Sequence, residues 1–205
     1  MIGIIDTKIS NLGSIKRWLN ILNLEFCIIE SDEDFINLSL VIFPGVGSWD
    51  TVANFLITSK LESPLRKYIN NGGKYLGICL GFQILFSESD EGKLGGLSIF
   101  PERISKINKY KNVILPHVGF NDLTFNTNPF SNDIKNKSFY FTHSFGLLEF
   151  QNNESTVIAE TEYQGVKIIT FIEYKNIIAC QFHPEKSSTA GISFLKKIIE
   201  WSKKD

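Results

Sequence analysis

Short, unbroken apolar runs separated by amphipathic segments fill the first half of the chain, and this alternation restricts the fold more than any other feature. Ile2-Gly-Ile-Ile-Asp6 reads as a buried strand, Glu25–Glu30 as a second, Ser39–Phe43 as a third and Lys74–Ile78 as a fourth. Helical segments lie between them at Asn11–Leu22, Trp49–Thr58 and Glu62–Asn71. Asn11 stands where a side-chain oxygen can cap the first helix, and Asn71-Gly72-Gly73 punctuates the last. Strands that are apolar along their whole length have both faces covered, which predicts an α/β fold with a mostly parallel central sheet between helical layers.

The second half changes character. Ile99–Ile107, Val113–Leu115, Ser138–Phe141, Thr156–Thr161, Val166–Glu173 and Ile177–Cys180 read as strands, and Thr189–Ser202 as a last amphipathic helix. Turn signals separate the strands at Asn126–Pro129, Gln151–Asn153, Gly165 and Lys175-Asn176. With no repeat, low-complexity tract or linker, the expectation is one domain over residues 1–205: a parallel core with extra antiparallel strands, so a mixed sheet. A length of 205 residues suits that reading.

Composition removes several classes of function. The formal charge is −1, so no global field draws the chain to nucleic acid or to a membrane surface. No stretch approaches the roughly 20 apolar residues of a membrane span, and MIGIIDTK lacks the basic start and long apolar segment of a signal peptide. Three cysteines, Cys27, Cys79 and Cys180, make neither a disulfide framework nor a Cys-x-x-Cys metal pair. A reducing cytoplasm is the expected location; no metal or organic cofactor is indicated.

Gly77-Ile78-Cys79-Leu80-Gly81 follows the fourth strand and has the form Gly-x-nucleophile-x-Gly. Flanking glycines allow a strand-to-helix turn too tight for side chains. The nucleophile is lifted above the sheet edge at the N-terminus of the following helix, whose free N–H groups favour a thiolate and an oxyanion. The opposing interpretation is a buried core cysteine, which is how Cys27 and Cys180 read, since neither has a glycine elbow.

A nucleophilic cysteine needs a base. His183, in His183-Pro184-Glu185, is the best candidate, because Pro184 favours an extended link in which Glu185 points to the same side and fixes the imidazole tautomer. His117 and His143 are the rivals, and neither has a carboxylate two residues away. Pro44-Gly45-Val46-Gly47 closes the third strand, where backbone N–H groups can approach a ligand opposite Leu80 N–H; a plain turn is the alternative.

Together these residues resemble the class I (triad) glutamine amidotransferases, with Gly-Ile-Cys79-Leu-Gly-Phe-Gln83, His183-Pro-Glu185 and Pro-Gly-Val-Gly47 in order. Ser89-Asp-Glu91-Gly92, Pro116-His-Val-Gly-Phe-Asn121, Tyr140-Phe-Thr-His-Ser144 and the Lys-Ser187 ending extend the resemblance, over nearly the whole chain, to the glutaminase subunits of imidazole glycerol phosphate synthase. The resemblance implies a flavodoxin-like amidotransferase type 1 domain. It further implies a Cys79–His183–Glu185 triad and an oxyanion hole from Gly45, Val46, Gly47 and Leu80. Gln83, Glu91, His143, Ser144 and Phe145 would bind glutamine. A face including Asn11, Pro116, His117, Gly119, Phe120 and Asn121 would meet a TIM-barrel synthase subunit in a heterodimer. Ammonia would pass to that subunit sheltered from water, which would otherwise protonate it. The family product is imidazole glycerol phosphate with an aminoimidazole carboxamide ribotide, in histidine biosynthesis.

Two segments depart from the pattern. Asp6-Thr-Lys-Ile-Ser-Asn11 stands where the family has Asp-Tyr-Gly-x-Gly-Asn, and Val118 and Phe120 stand where it has Met and Trp. Both belong to the partner-facing side, so a paralogue that amidates a nucleotide-linked or cell-surface sugar remains an alternative. A non-catalytic regulator of the same fold is a further one, against which the intact Cys79, His183, Glu185 and Gln83 argue.

Overall fold

The computed structural model describes residues 1–9, 12–109, 111–126, 134, 137–150 and 156–204. The first half runs β1 (Ile2–Ile5), α1 (Leu12–Asn20), β2 (Phe26–Ile29), β3 (Leu40–Gly45), α2 (Trp49–Thr58), α3 (Glu62–Asn70), β4 (Tyr75–Cys79) and the single-turn helix α4 (Leu80–Gln83). The second half runs β5 (Phe86–Ser89), β6 (Phe100–Lys106), β7 (His117–Asp122), β8 (Thr124–Phe125), β9 (Ser138–His143), β10 (Phe145–Gly146), β11 (Thr156–Tyr163), β12 (Val166–Tyr174), β13 (Ile177–Cys180) and α5 (Ser188–Ser202).

Among the described residues, eight strands form the central sheet in the order β2-β1-β3-β4-β13-β12-β11-β8. From β2 to β13 all neighbours are parallel, and from β13 to β8 all are antiparallel. The fold is therefore the mixed α/β architecture expected, with the antiparallel extension on one side. Side-chain alternation explains the layers. Ile4, Ile42, Leu76 and Ile78 face one way and pack with Ile15, Trp18 and Leu19 of α1 and Phe194, Leu195 and Ile198 of α5. Val41, Phe43 and Tyr75 face the other way and pack with Trp49, Val52 and Leu56 of α2 and Leu65 and Ile69 of α3. Both faces of the parallel strands are buried, which is why these strands read as continuous apolar runs.

Several expectations need correction. Val113–Leu115 is not a strand: the chain there is irregular, and β7 begins at His117, after a proline that lacks the N–H a ladder requires. β5 follows α4 directly and pairs with β6 outside the main sheet, and β10 is a further short strand; neither stood out in the sequence. The helix behind the elbow is four residues long, so it offers the free N–H groups of one turn rather than a long macrodipole, and the Cys79 side chain makes no capping hydrogen bond to them. The Asn11 cap, the Asn11 interface role and the turns at 127–129 and 151–153 fall outside the described residues. No described helix is long and apolar enough to cross a membrane.

Candidate active site

Register brings the sequence motifs together. Gly45 of β3 pairs with Cys79 of β4, so the Pro44–Gly47 segment lies alongside the elbow. On the other side of β4, Cys180 of β13 pairs with Ile78, and the chain continues past the same sheet edge through Gln181 and Phe182 to His183. Candidate nucleophile, oxyanion strand and base thus arise at the C-terminal ends of three adjacent parallel strands, where open α/β sheets bind ligands.

The elbow is as tight as its glycines require. A Cβ on Gly77 would run into the Gly81 carbonyl, one on Gly81 into the Phe43 carbonyl, and one on Gly45 into Leu80. Cys79 itself sits at φ 54° and ψ −104°, a left-handed conformation costly for a side-chain-bearing residue. The Tyr75 hydroxyl donates to Gly81 O at 2.6 Å and ties strand to turn from within the core.

His183 is held as firmly. Its N–H donates to Tyr140 O at 2.8 Å, and Ser187 Oγ donates to its carbonyl at 2.7 Å while accepting from Tyr140 N at 3.0 Å. Its Nδ1 lies 2.7 Å from Glu185 Oε1, with both side chains buried. The link is not the extended one expected. Residues 184–186 form a 3-10 turn with Pro184 at its start, and this turn brings Glu185 back under the imidazole. Burial alone would push the imidazole pKa down, but the neighbouring Cys79 sulfur and Glu185 carboxylate outweigh it and raise His183 to about 10. His183 Nε2 is buried without a hydrogen-bond partner, which leaves it free for proton transfer. The arrangement sets an imidazole, oriented by a carboxylate, beside the Cys79 sulfur.

One cavity of about 350 Å³ collects most of the candidate residues: Gly45, Val46, Gly47, Cys79, Leu80, Gln83, Glu91, His143, Ser144, Phe145 and His183, together with Pro116 and Thr142. Glu91 Oε2 accepts from Trp49 N at 2.9 Å, and burial holds its carboxyl above the usual range. The Glu91 loop is pinned to α2, where Asp50 Oδ1 accepts from the N–H groups of Lys93 and Leu94 at 2.8 and 2.9 Å and Trp49 Nε1 donates to Leu94 O at 2.7 Å.

The rival histidines form a pair. Phe145 O only accepts, so the proton of His143 sits on Nδ1, 2.8 Å from it, and Nε2 accepts from His117 Nδ1 at 3.0 Å. Burial keeps both neutral, pushing His143 down to about 3 and His117 to about 4. His117 is buried, stacked between Phe141 and Tyr163, whereas its strand neighbours Val118 and Phe120 are 55% and 61% exposed. Of the expected partner-facing residues, Phe120 points outward, Gly119 adopts φ 132°, Asn121 donates to Glu162 O, and His117 faces inward.

Sequence reasoning gave Gln181 no role. Gln181 is a fully buried polar residue at the end of an apolar strand, and that mismatch was the available signal. Val118 is exposed because it shares the period-2 face of Phe120. Cys180 is fully buried, and burial drives its thiol up, as suits a core residue. Among the described residues no three His, Cys, Asp or Glu side chains are arranged to hold a metal ion.

Residues 3–200 match the family Glutamine amidotransferase class-I. The imidazole glycerol phosphate synthase subunit HisH of Prochlorococcus marinus subsp. pastoris is 36% identical over 201 residues, 97% of each chain. HisH of Caldanaerobacter subterraneus subsp. tengcongensis is 37% identical over 206 residues, 99% of each chain. The chloroplastic imidazole glycerol phosphate synthase hisHF of Arabidopsis thaliana is 31% identical over 97% of this chain and 34% of its own. In fold, the chain is similar to a glutamine amidotransferase crystal structure (TM-score 0.74, 17% identity) and to PurLQS from Thermotoga maritima (TM-score 0.73, 18% identity), each over 98% of both chains. With a mixed sheet whose parallel strands present a cysteine elbow beside a buried His–Glu pair, and with HisH relatives matched over nearly the whole chain, this chain belongs to the class-I glutamine amidotransferases, among the HisH subunits of imidazole glycerol phosphate synthase.

Proposed function

We propose that this chain hydrolyses glutamine to glutamate and supplies ammonia to a TIM-barrel synthase subunit, with which it forms imidazole glycerol phosphate synthase of histidine biosynthesis. The observation that carries the chemistry is the single cavity lined by Cys79, His183 and the Gly45–Gly47 strand. The HisH relatives support the pathway. That hisHF continues well beyond the matched 34% of its length supports a partner synthase subunit.

In this reading Cys79 Sγ attacks the side-chain amide carbon of glutamine, and the carbonyl oxygen becomes an oxyanion held by backbone N–H groups of Leu80 and the Gly45–Gly47 strand. His183 gives its proton to the amide nitrogen, the C–N bond breaks, and ammonia leaves a glutamyl thioester on Cys79. Water then loses a proton to His183 and adds to the thioester, releasing glutamate and restoring the thiolate. Glu185 keeps the imidazole in the right tautomer throughout. Glu91 carries the charge that suits the α-ammonium group, and Gln83, His143, Ser144 and Phe145 complete the pocket. Phe120 and its neighbours on β7 form the docking face.

The test is glutamate release from glutamine, with and without the barrel subunit and the histidine-pathway ribotide. Strong stimulation supports the synthase reading. If Cys79 is labelled by a glutamine-analogue electrophile but not stimulated, the acceptor is a different one. Cys79→Ala in the complex is expected to abolish turnover with glutamine and to spare it with ammonium salts. Equal loss with both nitrogen sources would sink the division of labour.

A further inference from the structure

Two buried glutamines end in a hydrogen bond on the candidate nucleophile, and a backbone carbonyl sets the direction of the whole chain. Phe145 O can only accept, so the Gln83 atom 2.9 Å from it is the amide nitrogen. The same nitrogen has a second N–H, which donates to Gln181 Oε1 at 2.8 Å. With its oxygen so engaged, Gln181 turns its own amide nitrogen towards Cys79 Sγ, at 3.5 Å. The backbone at Gln181 is fixed too, its N–H donating to Thr170 O at 2.8 Å. Gln181 is fully buried, Gln83 nearly so, and Cys79 is only 7% exposed, so water competes poorly for these bonds.

We propose that Gln181 is a catalytic residue of the glutaminase reaction: its amide N–H donates to the Cys79 sulfur and holds it as a thiolate, while Gln83 is the positioning residue that aims this bond. The inference rests on Cys79 being the nucleophile. A buried thiolate needs a donor that does not compete for the mobile proton. His183 Nε2 makes no hydrogen bond and is reserved for transfer to the leaving nitrogen. An amide N–H is never surrendered at neutral pH, so Gln181 stabilises the charge without altering the proton inventory. Both N–H groups of Gln83 are engaged within the protein, so its contribution to the site passes through Gln181 and through its remaining oxygen.

The experiment is iodoacetamide alkylation of the full chain from about pH 5 to about pH 10, followed on the Cys79 peptide, for wild type, Gln181→Leu, Gln181→Glu and Gln83→Leu. Gln181→Leu is expected to move the rate–pH profile upward by about one pH unit, a tenfold loss of reactive sulfur on the acid side, as for one charge-assisted hydrogen bond. Its plateau at high pH stays level or rises slightly, because a less stabilised thiolate is a better nucleophile. Gln83→Leu shifts the profile the same way by less. The near-isosteric Gln181→Glu, which keeps the fold if leucine does not, shifts it further by placing a carboxylate at the sulfur. Unshifted profiles in folded variants, or a uniform loss at every pH, overturn the proposal. Wild-type chain that neither alkylates at Cys79 nor releases glutamate defeats the glutaminase reading itself, whereas an active wild type with an unshifted Gln181→Leu defeats only the role of Gln181.

Discussion

His183 Nδ1 and Glu185 Oε1 stand 2.7 Å apart inside the protein, and a 3-10 turn rather than extended strand brings them together. Glu185 lacks other work: its second oxygen is buried with no hydrogen-bond partner. Its contribution is therefore concentrated on the imidazole. Glu185→Gln keeps the shape but presents an amide that no longer stabilises the imidazolium. It is expected to lower kcat for glutamate release by roughly 10²- to 10⁴-fold with little change in KM. A loss expressed mainly in KM would instead assign Glu185 to substrate binding.

Glu91 is a substrate-charge prediction. Glu91→Gln is expected to raise KM for glutamine by about 10- to 100-fold and to leave kcat within several-fold, the signature of a lost charge-assisted contact. Because burial raises this carboxyl above 4.5, acidification neutralises it sooner than an exposed glutamate. Steady-state kinetics should show KM climbing as pH falls towards the carboxylate range, a climb absent from the Gln variant.

The elbow glycines make a stability prediction. A methyl group on Gly81 would occupy the space of the Phe43 carbonyl oxygen, which belongs to the sheet and has nowhere to retreat. Gly81→Ala is expected to cost about 2 kcal/mol or more in urea unfolding. Gly72→Ala is a useful contrast, because Gly72 has no neighbour within 4 Å and only its positive φ of 87° to lose. Equal costs would show that backbone conformation, not space, governs both positions.

His143 ties stability to pH. Its folded pKa is about 3 and its ordinary one 6.5, so below 6.5 the unfolded chain binds a proton that the folded chain does not. Stability contributed by the neutral ring is present above 6.5 and is lost as pH falls. Between pH 6.5 and 5 the loss is on the order of 2 kcal/mol. Urea midpoints across that window should fall in wild type and fall less in His143→Gln; parallel slopes would rule His143 out as the source.

The sequence alone determined the parts whose signals are local. Unbroken apolar runs identified the parallel strands, because a strand covered on both faces has no polar side to show. The glycines around Cys79 identified the elbow, because only that turn needs them. Even His183 and Glu185 were legible as a pair from their spacing. Tertiary structure decided what depends on partners distant in the chain. It gave Gln181 a sulfur to face, since that bond exists only where β13 lies beside β4. It turned His117 inward onto His143, since a histidine after a proline reads alike in a loop and in a core. It also made His183–Glu185 a 3-10 contact, because Ser187 and Tyr140 grip the backbone there and leave the turn one way to close.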